Sequence, residues 1–364
     1  MRFKGVISYF SWALLFSAMP AHAWDHHETL MPWVLASLPP GIRAELNRPL
    51  KAPCLADDLK MYERLQKSLD LNPSLSFEQM HLKSTAENCK RPVTAADILS
   101  RGFVDDPDQG MDRDLPDSAD LAGDRKWMGG KTGPTSQGFR HMYFGGWSLR
   151  RPIETFQIPM RASGQAPQRA QVMENMAREL FKSGDTAWAW RVVCWELHFL
   201  QDLGQPFHAV QVPSWRMLPW SKDFIHETTR IIGNYHWAYE GITLEELRLG
   251  EGSPLSACLH DVHKQATVRL PFSGSARDEA LAIARASVAL GSDIGEAVMS
   301  AFGESLKAPG VDLPRHQQVP DYKSMIANPT AGNLELNRQS CHALSNAVLV
   351  SQRIIDQSVG FQKE

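Results

Sequence analysis

The chain has 364 residues, of which 43% are hydrophobic and 22% charged, a balance typical of a globular protein with room for a large core. Its formal net charge of −3 argues against the basic field on which non-specific binding to duplex DNA depends, so we expect no stable nucleic-acid complex. That charge does not exclude a small substrate or a lipid headgroup as a ligand.

The first 23 residues have the pattern of a cleaved signal peptide. Arg2 and Lys4 give a basic start, a short apolar run follows, and Ala21-His22-Ala23 matches the A-x-A rule for cleavage. The apolar run is short for a membrane span. The pattern therefore predicts a secreted or periplasmic protein whose mature chain begins at Trp24.

The spacing of apolar residues predicts an all-α fold, a multi-helix bundle that forms one domain over residues 24–364. Thr94 is the expected N-cap of one helix, Gly184-Asp185 the expected break between two, and Gly233 a possible interruption of another. The predicted helices cover residues 28–38, 56–71, 77–88, 94–101, 168–203, 224–241, 255–267, 277–302 and 340–359.

The segments between these helices differ in character. Residues 105–138 place many aspartates among glycines and prolines, which predicts a long acidic surface loop inserted into the bundle. A calcium site at Asp106, Asp108 and Asp112 is an alternative, but no glutamate closes a calcium-loop motif, so solvated carboxylates are favoured. Residues 209–223 form a loop rich in proline and tryptophan.

Export allows disulfides, and the chain has five cysteines. The odd number leaves at least one thiol free or paired between chains. Cys194 lies in an apolar run and is the expected buried free thiol. The plausible pairs are Cys54–Cys89 and Cys258–Cys341, although sequence alone does not fix this connectivity.

The central motif of the chain is a histidine and a carboxylate on one helical face. His198 and Asp202 are four residues apart, so a helix projects both side chains from the same side. Pro206 ends that helix, and His208 follows directly. Imidazole and carboxylate groups at one point are the ligands that a zinc ion needs.

A second pair repeats this spacing further along the chain. His236 is followed four residues later by Glu240. His226 is the competing histidine, but Arg230 stands at its corresponding position and cannot bind a cation. Two such pairs, with a third histidine after the first pair, predict a metal site.

These residues resemble the zinc-dependent phospholipase C superfamily, which also contains the single-strand-specific zinc nucleases. In that family a histidine, an aspartate four residues later and a histidine six residues beyond form the central motif. His198, Asp202 and His208 match it, and His236 with Glu240 matches the pair that follows. The resemblance implies phosphodiester hydrolysis and three zinc ions per chain.

The resemblance also implies a role for the mature N-terminus. Family members begin with a tryptophan whose α-amino group and carbonyl oxygen bind zinc, and Trp24 fits this pattern. An α-amine with a reference pKa of about 7.7–8.0 can lose its proton to a metal. A nearby histidine is expected to join it. His26 and His27 both qualify, and the apolar spacing of Leu30 and Val34 favours His27.

Two further ligands are expected ahead of the central motif. His141, which aromatic residues follow, matches the family's histidine. Asp106 matches the aspartate in the turn after Gly102, and Asp105 and Asp124 are the alternatives. The family pattern then implies three zinc sites, held by Asp106, His141, His198 and Asp202; by His208, His236 and Glu240; and by the Trp24 terminus, His27 and the bridging Asp202.

We expect an exported phospholipase C that releases diacylglycerol and a phosphorylated headgroup. Metal-bound water would attack the phosphate, and Asp106 would bind metal or take the water's proton. Glu240 favours the phospholipases, whereas Gln205-Pro206 resembles the nucleases, so a single-strand nuclease is the alternative. A non-catalytic zinc-binding protein is the alternative from another class. The sequence does not predict an oligomeric state.

The loop between the metal motifs offers a partner surface. Trp215 and Trp220 stand there among Arg216 and Lys222. This mixture is typical of a peripheral contact with a membrane surface, of a platform for stacking bases, or of a lid packed over the core.

Overall fold

The computed structural model describes residues 26–51, 55–73, 92–111, 140–144, 147–150, 155–158, 164–270, 274–316 and 318–363. The α-helices in these ranges are α1 Met31–Ala36, α2 Pro40–Leu46, α3 Leu55–Ser68, α4 Ala95–Leu99, α5 Ala166–Ser183, α6 Thr186–Gly204, α7 Pro206–Ala209, α8 Phe224–Arg248, α9 Pro254–Leu259, α10 Val262–Gln265, α11 Ala276–Phe302, α12 Leu313–His316, α13 Tyr322–Ala327 and α14 Ala331–Phe361. Helices dominate the described chain, which confirms the predicted all-α fold.

Short strands and turns connect these helices. The described ranges contain two antiparallel pairs of strands, β1 Pro49–Leu50 with β2 Val93–Thr94 and β3 Trp147–Arg150 with β4 Thr155–Ile158. They are too short to have been visible as alternating patterns in the sequence. Single 3₁₀ turns lie at His27–Thr29, Phe103–Asp105, Trp215–Met217, Gly250–Gly252 and Glu304–Lys307, and a π turn spans Pro107–Met111.

The predicted helix boundaries at Gly184 and Thr94 are confirmed. Gly184 has a φ of 83° and follows the last residue of α5, so a side chain there would be strained. Thr94 caps α4, because its hydroxyl accepts from the Asp97 N–H while the Asp97 carboxylate accepts from the Thr94 N–H.

Three other boundaries differ from the prediction. Helix α8 continues through Gly233, whose cost of about 1 kcal/mol inside a helix does not stop it. The predicted helix 255–267 is instead the two short helices α9 and α10, which Asp261 separates. The segment between the predicted helices 277–302 and 340–359 contains α12 and α13, and α14 begins at Ala331 instead of 340, because Thr330 and Asn333 form a capping box there.

Helix α6 lies at the centre of the bundle. All of its residues from Ala187 to Gly204 are buried, and it packs against α4, α5, α11 and α14. A helix that is apolar on nearly every side is expected to be surrounded by protein. The polar residues of its C-terminal turns, His198 and Asp202 among them, are therefore held inside the core and away from water.

A disulfide joins Cys258 of α9 to Cys341 of α14, as predicted. Cys194 is a buried free thiol, which is also confirmed. The described residues include no helix with the length and apolar character that would carry it across a bilayer. Several predicted features lie outside the described residues: the signal peptide, Trp24, Asp124, the pair Cys54–Cys89, the helix 77–88 and most of the acidic loop.

Candidate metal centre

The metal centre is built around the C-terminal turns of α6. His198 and Asp202 project from one face of this helix, with His198 Nε2 3.3 Å from Asp202 Oδ2. The His198 Nδ1–H donates to the carbonyl oxygen of Val104 at 2.8 Å. Since a carbonyl only accepts, this bond leaves the Nε2 lone pair of His198 facing the carboxylate.

His27 completes what we call the inner group, formed by His27, His198 and Asp202. His27 Nε2 lies 3.4 Å from Asp202 Oδ1. Its other ring nitrogen, Nδ1, lies 3.0 Å from Oε1 of Gln201. All of these side chains are buried.

Asp108, His141 and His198 form the adjoining group, which shares His198 with the inner group. His141 Nδ1 is 2.9 Å from Asp202 Oδ2 and 2.9 Å from His198 Nε2. Asp108 Oδ1 is 3.5 Å from His141 Nδ1 and 3.6 Å from His198 Nε2. His141 and His198 therefore each lie between two buried carboxylates, Asp108 and Asp202.

The outer group consists of His208, His236 and Glu240. His208 comes from the short helix α7, and its Nδ1–H donates to the His141 carbonyl at 3.0 Å. Its Nε2 then faces Glu240 Oε1 at 3.9 Å, while His236 Nε2 lies 2.7 Å from the same oxygen. Gln205 Nε2 donates to that oxygen at 3.2 Å.

A single imidazole ring connects the outer group to the other two. His208 Nδ1 is 3.9 Å from Asp202 Oδ1, and His208 Nε2 is 3.9 Å from Glu240 Oε1. The three groups are thus neighbours within one buried region.

Burial favours the neutral form of three histidines in this region. Desolvation lowers the pKa of His198, His208 and His236 to about 3 each, although the charge of Asp202 partly opposes that change. Burial by itself raises the pKa of Asp202, but the nearby His198 and His141 outweigh it and hold the pKa well below its usual value. Neutral imidazoles and an ionised carboxylate are the forms that bind metal.

Buried polar atoms that lack hydrogen-bond partners also indicate a metal site here. His27 Nε2, Asp202 Oδ1 and His208 Nε2 are buried and have no hydrogen-bond partner among the residues that the structure describes. A buried polar atom without a partner costs about 1–3 kcal/mol. A divalent cation would satisfy these atoms, so the residues present fit a metal ion.

The structure brings together most of the side chains that the sequence predicted. These are His27, His141, His198, Asp202, His208, His236 and Glu240. It brings Asp108, and not Asp106, to the adjoining group. Asp106 Oδ2 instead accepts a hydrogen bond from Trp195 Nε1 at 2.9 Å.

The turn around these aspartates explains the difference. The 3₁₀ turn at Phe103–Asp105 is followed directly by the π turn at Pro107–Met111, which carries Asp108. The prediction of solvated carboxylates is wrong for this part of the acidic segment, because Asp105, Asp106 and Asp108 are all buried. Sequence spacing alone carried no signal for the π turn.

The alternative ligands His26 and Asp105 lie together in a different place. With Glu28 they form a fourth, half-exposed group. His26 Nδ1 is 3.1 Å from Glu28 Oε1, and Asp105 Oδ1 accepts from the Glu28 N–H at 3.2 Å. The choice of His27 over His26 for the buried region therefore agrees with the geometry.

No family model matches this chain, and searches of curated proteins and of solved structures also give no match. What the chain does must therefore be argued from its side chains.

The loop at residues 209–223 carries exposed aromatic residues. Trp220 is fully exposed and Trp215 is 49% exposed, while Met217 between them is buried. Trp220 also borders a cleft of ≈ 670 Å³ together with Arg230 and His316. Trp220 therefore does not pack over the core, as it would in a lid, which is one of the expected roles of this loop.

A smaller cavity of ≈ 190 Å³ adjoins the outer group. Glu240 forms part of its wall, and the apolar side chains of Trp237, Leu244 and Val319 form much of the rest. Val319 is largely exposed at this surface. An apolar opening thus lies beside a candidate metal ligand.

Proposed function

We propose that this protein is an exported, zinc-dependent phosphodiester hydrolase, and specifically a phospholipase C that releases diacylglycerol and a phosphorylated headgroup. The observation that carries the proposal is the set of three adjoining groups of buried imidazoles and carboxylates. Imidazole nitrogen and carboxylate oxygen are characteristic zinc ligands. The disulfide Cys258–Cys341 fits an extracellular protein and supports export.

Each group supplies ligands for one zinc ion. Asp108, His141 and His198 would hold the first, with Asp202 beside them. His27 and Asp202 would hold another, which the α-amine of a mature N-terminus at Trp24 would complete. The outer group would hold the last, and its three protein ligands leave a position for water. Bound zinc lowers the pKa of a coordinated water and neutralises charge on phosphoryl oxygens.

The chain's own residues prepare this chemistry. Burial of the ligands in the bundle lowers the pKa of His198, His208 and His236, which favours their neutral form, and it strengthens electrostatic interactions among the ligands. Asp108 would serve as a zinc ligand or as the carboxylate that takes the proton of an attacking water. Asp106 is less suited to that role, because its Oδ2 already accepts a hydrogen bond from Trp195.

Phospholipid is the substrate class that the surface favours. Exposed tryptophans prefer the headgroup region of a bilayer, where an aromatic ring has both apolar and polar surroundings. A separate cavity beside Glu240, lined in part by Trp237, Leu244 and the exposed Val319, offers apolar surface next to the outer group. A peripheral contact with the membrane through Trp215 and Trp220 would deliver the lipid to the metal centre.

Parallel assays test the proposal. The mature protein beginning at Trp24, loaded with zinc, is incubated with phosphatidylcholine vesicles, a soluble phosphorylcholine ester and single-stranded DNA. We expect release of diacylglycerol and phosphorylcholine from the vesicles. His236→Gln should abolish this release, whereas His263→Gln, which changes an exposed histidine of α10, should leave it unchanged.

Two results would overturn the proposal in different ways. Cleavage of DNA without cleavage of lipid would identify a single-strand nuclease. Failure to cleave any of the three substrates, by protein shown to contain zinc, would identify a non-catalytic zinc-binding protein.

A further inference from the structure

We propose that Gln201 is a positioning residue of the metal centre, which fixes the orientation of His27 and the ring nitrogen that carries its hydrogen, and that Ser351 of α14 fixes Gln201 in turn. The inference rests on the metal centre of the proposed function, but it does not depend on phosphodiester hydrolysis. It also gives a role to the C-terminal helix, for which the sequence offered none.

Gln201 lies next to Asp202 on α6 and is completely buried. Its Oε1 is 3.0 Å from His27 Nδ1, and its Nε2 is 3.1 Å from the Ser351 hydroxyl. The Nε2 group also lies 3.6 Å from the sulfur of Met31. One amide thus contacts both a candidate metal ligand and the C-terminal helix.

The hydroxyl of Ser351 determines which way this amide points. Ser351 Oγ donates its single proton to the Ala347 carbonyl oxygen at 2.8 Å. The hydroxyl must therefore accept from its other neighbour, and only the NH₂ end of the Gln201 amide can donate to it. The carbonyl end of Gln201 is consequently turned toward His27.

That orientation sets the state of His27. Because the Gln201 oxygen only accepts, His27 Nδ1 must carry the hydrogen. The Nε2 atom then keeps its lone pair, and it faces Asp202 Oδ1 at 3.4 Å inside the inner group. A reversed amide would place N–H groups against Nδ1, move the hydrogen to Nε2 and remove the metal ligand.

The competing role for a buried polar bridge of this kind is simply to pack α6 against α14, so the test must separate the two roles. Gln201→Met keeps the length of the side chain but removes the acceptor, whereas Gln201→Glu keeps an acceptor for His27 Nδ1–H. Gln339→Met is the matched control, because Gln339 is a buried amide of α14 whose Nε2 donates to Glu335.

The measurement is the dissociation constant of each zinc equivalent in the mature chain, obtained by competition with a chelator. Loss of an outer hydrogen-bond partner typically weakens metal binding about 10–100-fold. We expect that loss for one equivalent in Gln201→Met, with the others unchanged. Gln201→Glu should remain within a few-fold of the wild type, and Gln339→Met should match it.

A second measurement reads the state of His27 directly. Nitrogen-15 NMR of the metal-free protein should show hydrogen on Nδ1 of His27 in the wild type and in Gln201→Glu, and should show that preference lost in Gln201→Met. Should Gln201→Met fail to fold, Ser351→Ala removes only the hydroxyl and should weaken the same zinc equivalent several-fold.

Three outcomes would overturn the inference. In the first, Gln201→Met binds every zinc equivalent as tightly as the wild type. In the second, Gln201→Met and Gln201→Glu weaken zinc binding equally, and the hydrogen stays on Nδ1 of His27 in both. In the third, which applies if Gln201→Met does not fold, the folded Ser351→Ala variant binds zinc with wild-type affinity. A wild-type protein that binds zinc but cleaves no phosphodiester would refute the proposed function alone.

Discussion

Asp202 is the residue on which the buried groups converge. Nitrogen atoms of His141, His198 and His27 lie 2.9, 3.3 and 3.4 Å from its two oxygens. The sequence already indicated that this aspartate bridges two metal sites, because the family pattern it resembles assigns it that role. The structure adds the distances on which a bridge depends.

Asp202→Asn should remove zinc from two positions at once, since the amide keeps the shape of the side chain but loses its charge. We expect the protein to lose two zinc equivalents on dialysis, as measured by elemental analysis. Asp356→Asn, at an exposed position of α14, is the matched control and should keep its full zinc content. Full zinc content in Asp202→Asn would contradict the bridging role.

Replacing Asp106 and replacing Asp108 with asparagine should affect different properties of the protein. Asp108→Asn should lower zinc content, because Asp108 lies in the adjoining group. Asp106→Asn should retain zinc but lower the free energy of unfolding by about 1–3 kcal/mol, because the Trp195 N–H loses a charged acceptor. Zinc analysis and urea unfolding of both variants measure these effects; zinc loss confined to Asp106→Asn would restore the sequence-based assignment.

Among the helices, α5, α6 and α11 enclose a set of carboxylates away from the metal centre. Glu174, Glu196 and Glu279 are all buried. Arg178 contacts Glu174 at 2.9 Å, and Arg353 pairs with Glu279. Glu196 Oε1 has no hydrogen-bond partner among the described residues. Burial first, and then the charges of the other two glutamates, raise the pKa of Glu196 well above its usual value.

Glu196 should therefore contribute a loss of stability as the pH rises above the usual pKa of glutamate. In that range the unfolded chain has released the Glu196 proton while the folded chain still holds it, so folding must take up a proton. The slope approaches about 1.4 kcal/mol per pH unit, up to the pKa of the folded protein. Glu196→Gln should remove this loss, which urea unfolding between pH 5 and 8 would measure. The lowered pKa values of His198, His208 and His236 act in the opposite direction up to the ordinary histidine value of 6.5, so the Glu196 contribution is the difference between Glu196→Gln and the wild type.

Glu63→Gln, at an exposed position of α3, is the control for this pH series and should keep the wild-type dependence. If the free energy of unfolding changes with pH in the same way in Glu196→Gln and in the wild type, Glu196 does not hold a proton in the folded state.

The packing of α11 depends on the absence of a side chain at Gly295. A Cβ atom there would lie 2.6 Å from the carbonyl carbon and oxygen of Pro213, which are backbone atoms with little freedom to move. Gly295→Ala should lower the free energy of unfolding by about 1–3 kcal/mol, as overpacking does elsewhere. Urea unfolding measures the change.

Gly360→Ala is the matched control for that substitution. Gly360 lies near the end of α14, and a Cβ atom added there would meet nothing within 4 Å, so alanine should be neutral or stabilise by up to about 1 kcal/mol. Equal stability of the two alanine variants would show that the loop at Pro213 adjusts freely.

The elements that sequence could predict are those with local signals. Gly184 marks a helix end through its backbone freedom, and the spacing of His198 and Asp202 follows from helical geometry alone. Sequence could not favour Asp108 over Asp106, because the π turn that carries Asp108 has no signal in the spacing of residues. Gln201 was missed because its partners, His27 and Ser351, are 174 and 150 residues away.

On the scale of the whole molecule, the disulfide fastens the C-terminal helix to the remainder of the bundle. Cys258 and Cys341 are separated by 83 residues, so their bond restricts a long loop of the unfolded chain. Replacing both cysteines with alanine should lower the free energy of unfolding by about 2–5 kcal/mol. Urea unfolding measures this change.

Reduction of the wild-type protein should reproduce the effect of that double variant. Cys194→Ala alters only the buried free thiol, so this variant should still lose stability when the disulfide is reduced. An unchanged unfolding midpoint in the double variant would show that the helix is held by its packing alone.

The polar bridge from His27 through Gln201 to Ser351 also imposes an order in time. A ribosome makes about 5–20 residues per second, so Ser351 follows Gln201 by on the order of ten seconds. During that interval His27, Gln201 and Asp202 already exist, but Ser351 does not yet fix the Gln201 amide that contacts His27. Full metal affinity at this position would therefore belong to the finished chain, after α14 has docked.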